Sequence, residues 1–86
     1  MVQVVLPSVL AEQAQGRKRF EVEAETVGDA LRALPVADLL VDERGELREL
    51  AWVYVDGTDA RDRGGLACPL AGVREVRIVA AVSGGQ

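Results

Sequence analysis

The feature that most limits what this chain can fold into is a set of short apolar runs spaced for strands. "VQVVL" (residues 2–6) is rich in β-branched residues and is stopped by Pro7. In "RKRFEVEA", Phe20, Val22 and Ala24 point one way while Arg19, Glu21 and Glu23 point the other. That period of two is the mark of a half-buried strand, and it predicts an antiparallel partner for the first run. "LAWVYVDGTDAR" carries a strand into Asp56-Gly57. This dipeptide suits a two-residue hairpin turn, because both of its residues tolerate positive φ. "REVRIVAAV" closes the pattern, with Val76, Ile78 and Ala80 on one face. Strands this short are not stable singly, so they must share a sheet whose apolar face is covered.

One segment can cover it. In "TVGDALRAL", Thr26 and Asp29 stand at capping-box spacing, and Val27, Ala30, Leu31 and Leu34 fall on one helical face. Pro35 ends that helix. Residues 36–47 predict an extra helical turn and then a polar loop around Asp42 to Gly45. "SVLAEQAQG" predicts a short helix or turn, with Ser8 as its cap and Gly16 as its stop. "RGGLACPLAG" predicts a loop broken by glycine and proline. Strands flanking one central helix make a small α+β roll. The whole of residues 1–86 is expected to form one domain with a flexible diglycine tail at 82–86. Hydrophobic residues make up 49% of the chain, yet Trp, Tyr and Phe occur once each, so aliphatic side chains must fill the core.

Ten basic against fourteen acidic residues give a net charge of −4. Nucleic-acid binding needs clustered cations, and "GRKRF" (16–20) is followed by Glu21, Glu23 and Glu25; no nucleic-acid partner is expected. An acidic chain of this size is expected to dock on a basic surface of another protein. There is no histidine and only one cysteine, Cys68. A Ser-His-Asp or Cys-His nucleophile and a Cys/His zinc site are therefore excluded within these residues. Cys68 reads as a small buried or loop residue. Asp56, Asp59 and Asp62 read as a solvated hairpin, since the ligand spacing of a calcium loop is absent. No bound metal or cofactor is expected. The first residues lack the basic region of a signal peptide, and no apolar run approaches the ~20 residues of a membrane span. The expected location is the cytoplasm, with no membrane partner.

The group whose surroundings look arranged is at the end, "VSGGQ" (82–86). Glycines before a carboxylate remove the side chains that would clash in a narrow channel of a partner. A plain flexible end is the alternative.

Taken in order, these pieces resemble the ubiquitin-like β-grasp sulfur carriers of the MoaD and CysO types and, more distantly, ThiS. The resemblance rests on Val53 to Gly57, Gly64 to Leu66, Pro69 to Gly72, Glu75-Val76 and Val82 to Gly85, with "ETVGDAL" as the helix start. It implies a mixed sheet of four to five strands packed on one main helix. It also implies that the chain is no enzyme but a substrate of partner enzymes. In such families an adenylating enzyme of the MoeB/ThiF type uses ATP to activate the terminal glycine carboxylate. Sulfur then replaces one oxygen, and the thiocarboxylate donates sulfur to a biosynthetic enzyme. On this chain the thiocarboxylate-forming residue would be Gly85, and Val82, Ser83, Gly84 and Gly85 would thread into the partner. Three departures stand out: Ala80 and Ala81 replace the two prolines common before the motif, the helix ends early at Pro35, and Gln86 follows the diglycine. The last implies processing, for example by a JAMM-type metallopeptidase that removes Gln86. The alternative within the same fold is a protein modifier conjugated through Gly85 to lysines of its targets. The prokaryotic ubiquitin-like protein Pup also ends Gly-Gly-Gln, but Pup is largely disordered and this chain has alternating strands.

Overall fold

The computed structural model describes residues 1–48 and 51–80. Five strands form one mixed sheet: β1 (Val2–Val5), β2 (Arg19–Val22), β3 (Ala51–Val55), β4 (Thr58–Asp59) and β5 (Glu75–Ala80). Their order across the sheet is β2-β1-β5-β3-β4. β1 and β5 lie side by side and parallel, pairing Gln3 with Glu75, Val4 with Val76 and Val5 with Arg77. β2 is antiparallel to β1, and β3 is antiparallel to β5. This is the expected mixed sheet.

Among the described residues three short helices accompany it: α1 (Ser8–Ala11), α2 (Val27–Arg32) and α3 (Ala37–Leu40). The inward residues Val2, Val4, Val53, Val55, Val76 and Ile78 pack with Val27, Ala30, Leu31, Leu34 and Leu40 in one cluster. No aromatic residue is fully buried: Phe20 and Tyr54 are half-buried and Trp52 is exposed. The core is aliphatic, as the composition requires. Cys68 belongs to it at 1% exposure, and its thiol donates to the Pro69 carbonyl oxygen at 3.5 Å.

Local chemistry departs from expectation at three points. Ser8 is not the cap of α1; it is the first helical residue, and Pro7 is the N-cap. The Pro7 carbonyl accepts from the Leu10 and Ala11 amides, so the proline's extended geometry and free carbonyl do the work assigned to the serine. Only half of the capping box forms. Thr26 Oγ1 accepts from the Asp29 amide at 3.2 Å, but the Asp29 carboxylate turns outward to Arg32. The segment after β4 is also more regular than a broken loop: residues Ala60–Arg63 and Gly65–Ala67 form 3-10 turns. Asp59 starts the first by accepting from the Arg61 amide, and Gly64 at φ 103° lets the chain reverse between them.

The Asp56-Gly57 turn forms as expected, with φ of 48° and 88°. Its carboxylate does more than turn the chain: Oδ1 accepts from the Glu75 amide at 3.0 Å, and both oxygens lie 3.3 Å from the Arg74 amide. The Asp56 amide in turn donates to the Glu75 carbonyl oxygen. One side chain thus ties the hairpin to the start of β5. Replacing Asp56 by alanine is expected to cost about 1.5–3 kcal/mol, because it strands two amides and places a Cβ residue without a local partner at positive φ. Asp56→Asn should cost about half of that. Urea unfolding of the two variants measures the difference.

Asp42 organises the loop after α3 in the same way. Its Oδ1 accepts from the Arg44 amide at 2.9 Å and the Glu46 amide at 3.0 Å. The bond from the Glu46 amide holds its pKa below the ordinary 3.8, helped by Arg44. A carboxylate held low stabilises the fold above its ordinary pKa and loses that contribution as pH falls through the lowered value. The stability gap between the wild-type chain and Asp42→Asn should therefore be constant near neutrality and close below about pH 4. Unfolding midpoints measured from neutral to acid pH give that curve.

Candidate functional site at the end of strand β5

The five tail residues singled out by sequence, Val82, Ser83, Gly84, Gly85 and Gln86, lie outside the described residues. What the structure does place is the ground they start from. β5 is the third of five strands in the sheet, flanked by β1 and β3, and it ends at Ala80 opposite Ala51. The chain therefore reaches the diglycine from the middle of the sheet.

The outer sheet face is built by strand alternation. Arg19, Val5, Arg77 and Tyr54 share one rung across β2, β1, β5 and β3. Two residues nearer the end of β5, Trp52 faces Val79. Both are exposed, at 42% and 39%. An aromatic paired with a β-branched residue on an open face is an apolar strip, and among the described residues it stays exposed. The Arg61 guanidinium lies 5.8 Å from the centre of the Trp52 ring and borders the strip. Two residues in the other direction the face changes character, with Glu21, Gln3 and Glu75 on one rung.

The face is thus polarised along β5. Its far half is acidic, and the half beside the tail exit is aromatic and basic. Arg77 leans back to Glu75, with Nε 3.2 Å from the carboxylate. Among the described residues no ion pair engages Arg17, Lys18, Arg19 or Arg61. Net charge does not show this local excess of positive charge. The chain is acidic overall, but the outer face beside the end of β5 carries unpaired positive charge next to apolar surface. Sequence reasoning did not single out Trp52, Val79 and Arg61 as candidate residues. Each is unremarkable alone; strand register brings the first two together from 27 positions apart (79 − 52), and the 3-10 turn adds the third.

The other candidates have structural work. Asp56 and Asp59 accept amides in turns. Glu21, Glu23 and Glu25 are exposed. Among the described residues no three His, Cys, Asp or Glu side chains are placed to hold a metal ion. No helix there is long and apolar enough to cross a membrane. A groove of about 410 Å³ opens between Val27, Leu47, Ala60, Arg61 and Leu66. Next to Val27, a Cβ on Gly28 would come 3.2 Å from the Leu66 carbonyl oxygen, so α2 and the second 3-10 turn are in close contact there.

No protein-family model matches the chain. Curated proteins do. It is 31% identical over 91 aligned positions to the sulfur carrier protein CysO of Mycobacterium tuberculosis, covering 98% of each chain. Among solved structures it is similar to the crystal structure of the Amycolatopsis orientalis BexX/CysO complex. There the TM-score is 0.81 at 28% identity, over 99% of this chain and 100% of that one. The crystal structure of SAMP1 from Haloferax volcanii matches with a TM-score of 0.73 at 31% identity, over 98% of both chains.

Proposed function

The chain belongs to the CysO family of ubiquitin-like β-grasp sulfur carrier proteins, and from that premise we propose that it carries sulfur on the carboxylate of Gly85. In a partner of the MoeB/ThiF type, that carboxylate attacks the α-phosphorus of ATP, pyrophosphate leaves, and an acyl-adenylate forms. A sulfur nucleophile then attacks the carbonyl carbon, AMP leaves with the bonding electrons, and a thiocarboxylate remains. A biosynthetic enzyme takes the sulfur. The chain holds no cofactor of its own; ATP belongs to the activating partner.

The observation that carries this reading is the match over 98% of the chain to a sulfur carrier, taken with a diglycine that follows β5 within a few residues. The polarised outer face supports the docking step. Trp52 and Val79 would anchor in an apolar recess of the partner, and Arg19 and Arg61 would meet acidic groups beside it. Val82 to Gly85 then thread to the nucleotide. Gln86, and anything that follows it, must first be removed, because the reacting carboxylate belongs to Gly85; a JAMM-type metallopeptidase is the proposed agent. The test is reconstitution: a chain ending at Gly85, incubated with an adenylating enzyme of this type, ATP and sulfide, should exchange one oxygen for one sulfur by intact mass. Activation without sulfur uptake would remove the carrier role.

A second reading is favoured by the similarity to SAMP1, a small archaeal modifier protein. In that reading the activated Gly85 is passed to lysines of target proteins. It shares the activation step and differs in the acceptor, so adducts on other proteins in the host would mark it.

A further inference from the structure

β2 is an edge strand: β1 pairs with it on one side, and among the described residues no strand pairs with it on the other. The Leu6 amide donates to the Lys18 carbonyl oxygen at 2.7 Å, which marks that rung as a hydrogen-bonded one. Such rungs alternate along an antiparallel ladder. Lys18, Phe20 and Val22 therefore turn their backbone groups toward β1, and Arg19 and Glu21 turn theirs to the open edge. Arg17 lies across that edge. Its Nε donates to the Arg19 carbonyl oxygen at 3.2 Å, and its guanidinium sits 4.7 Å over the Phe20 ring. A charged side chain laid there blunts an edge without closing it.

The sequence of this edge is complementary to itself. Residues 17–23 read Arg-Lys-Arg-Phe-Glu-Val-Glu, basic before Phe20 and acidic after it. When a second copy is set antiparallel about an axis at Phe20, Arg19 comes opposite Glu21 of the second copy and Arg17 opposite its Glu23. The Phe20 pair occupies the non-hydrogen-bonded rung, where side chains are closest, because its backbone groups are already spent on β1. The open amides and carbonyls of Arg19 and Glu21 then pair on the rungs at either side. Backbone parity and charge thus select the same register. Moving the axis to Arg19 or to Glu21 sets that residue against its own copy, like charge on like. Arg19, Glu21 and Glu23 are exposed, and among the described residues none of them has an ion-pair partner.

We infer that β2 is a self-association edge, through which two copies of this chain join antiparallel about Phe20 into one continuous sheet. On pairing, the Arg17 guanidinium leaves the Arg19 carbonyl, the Glu21 amide of the second copy takes its place, and Arg17 turns to Glu23 of that copy. A short edge with exposed ion pairs makes a small contact, so the dimer is weak and forms with concentration. It lies across β1 from β5 and leaves the Trp52–Val79 strip open.

Sedimentation equilibrium of the full chain at low salt, from about 10 μM to about 1 mM, should show monomers in exchange with dimers. Arg19→Glu and Glu21→Arg each place like charges on both rungs beside the axis, and each should weaken the dimer about tenfold or more. Arg19→Glu combined with Glu21→Arg restores opposite charges and should bring Kd back to within about threefold of the wild type. Because both positions are exposed, the unfolding midpoints of the monomers should change little. Hydrogen exchange reads the register: the Arg19 and Glu21 amides should slow as concentration rises, while those of Phe20 and Val22 are protected throughout. A chain that stays monomeric at about 1 mM would overturn the proposal. So would a dimer indifferent to the single reversals, or one that the double exchange fails to restore.

Discussion

A chain ending at Gly85 is expected to be adenylated at least ~100-fold faster than one ending at Gln86, because a reacting group displaced by even an ångström forfeits about that factor. One extended residue moves the carboxylate by about 3.5 Å and adds an amide side chain where the diglycine keeps the channel clear. The effect belongs in the rate of the chemical step rather than in binding, because the docking face is the same in both chains. ATP–pyrophosphate exchange, run at saturating carrier with a MoeB/ThiF-type enzyme, reads it directly. Equal rates for the two chains would mean that Gln86 is tolerated and that no processing is needed.

The second large effect is expected on the outer sheet face. Trp52 is the one large aromatic that the fold leaves uncovered, and it stands opposite Val79 on the last outward-facing rung before the tail. Truncating a buried aromatic anchor at an interface costs about 2 kcal/mol or more, or roughly 30-fold in Kd. Trp52→Ala should therefore weaken binding to the activating enzyme about 30-fold, while the unfolding midpoint of the free chain changes little. Reversing the charge of Arg61 should act differently, slowing association and flattening its dependence on salt. Titration calorimetry and association kinetics separate the two. A Trp52→Ala chain that binds its partner normally would place the docking surface elsewhere.

The strands and the hairpin were legible because their signals are local. Alternation in "FEVEA" and positive-φ tolerance at Asp56-Gly57 need no knowledge of the rest of the chain. The helix face Val27, Ala30, Leu31 and Leu34 was legible for the same reason, and all four residues are buried. Ser8 misled because a backbone carbonyl competes with a side chain for the same amides, and Pro7 held its carbonyl in place. The turns at 60–67 carry no period; they depend on Asp59 accepting one amide and on glycines at positive φ. The site divides along the same line. The diglycine is a local motif and can be seen at once. The strip of Trp52, Val79 and Arg61 exists only after β3 has paired with β5, so no window of the sequence contains it. Net charge hides local detail for a related reason: it averages over an outer sheet face that strand register sorts into an acidic end and a basic one.

Sulfur carried on Gly85 would be visible in the intact mass of the untagged protein recovered from its own host. The expected mass shows loss of the Gln86 residue together with exchange of one oxygen for one sulfur. A mass unchanged from the encoded chain, with Gln86 still in place under conditions where the pathway is active, would contradict it.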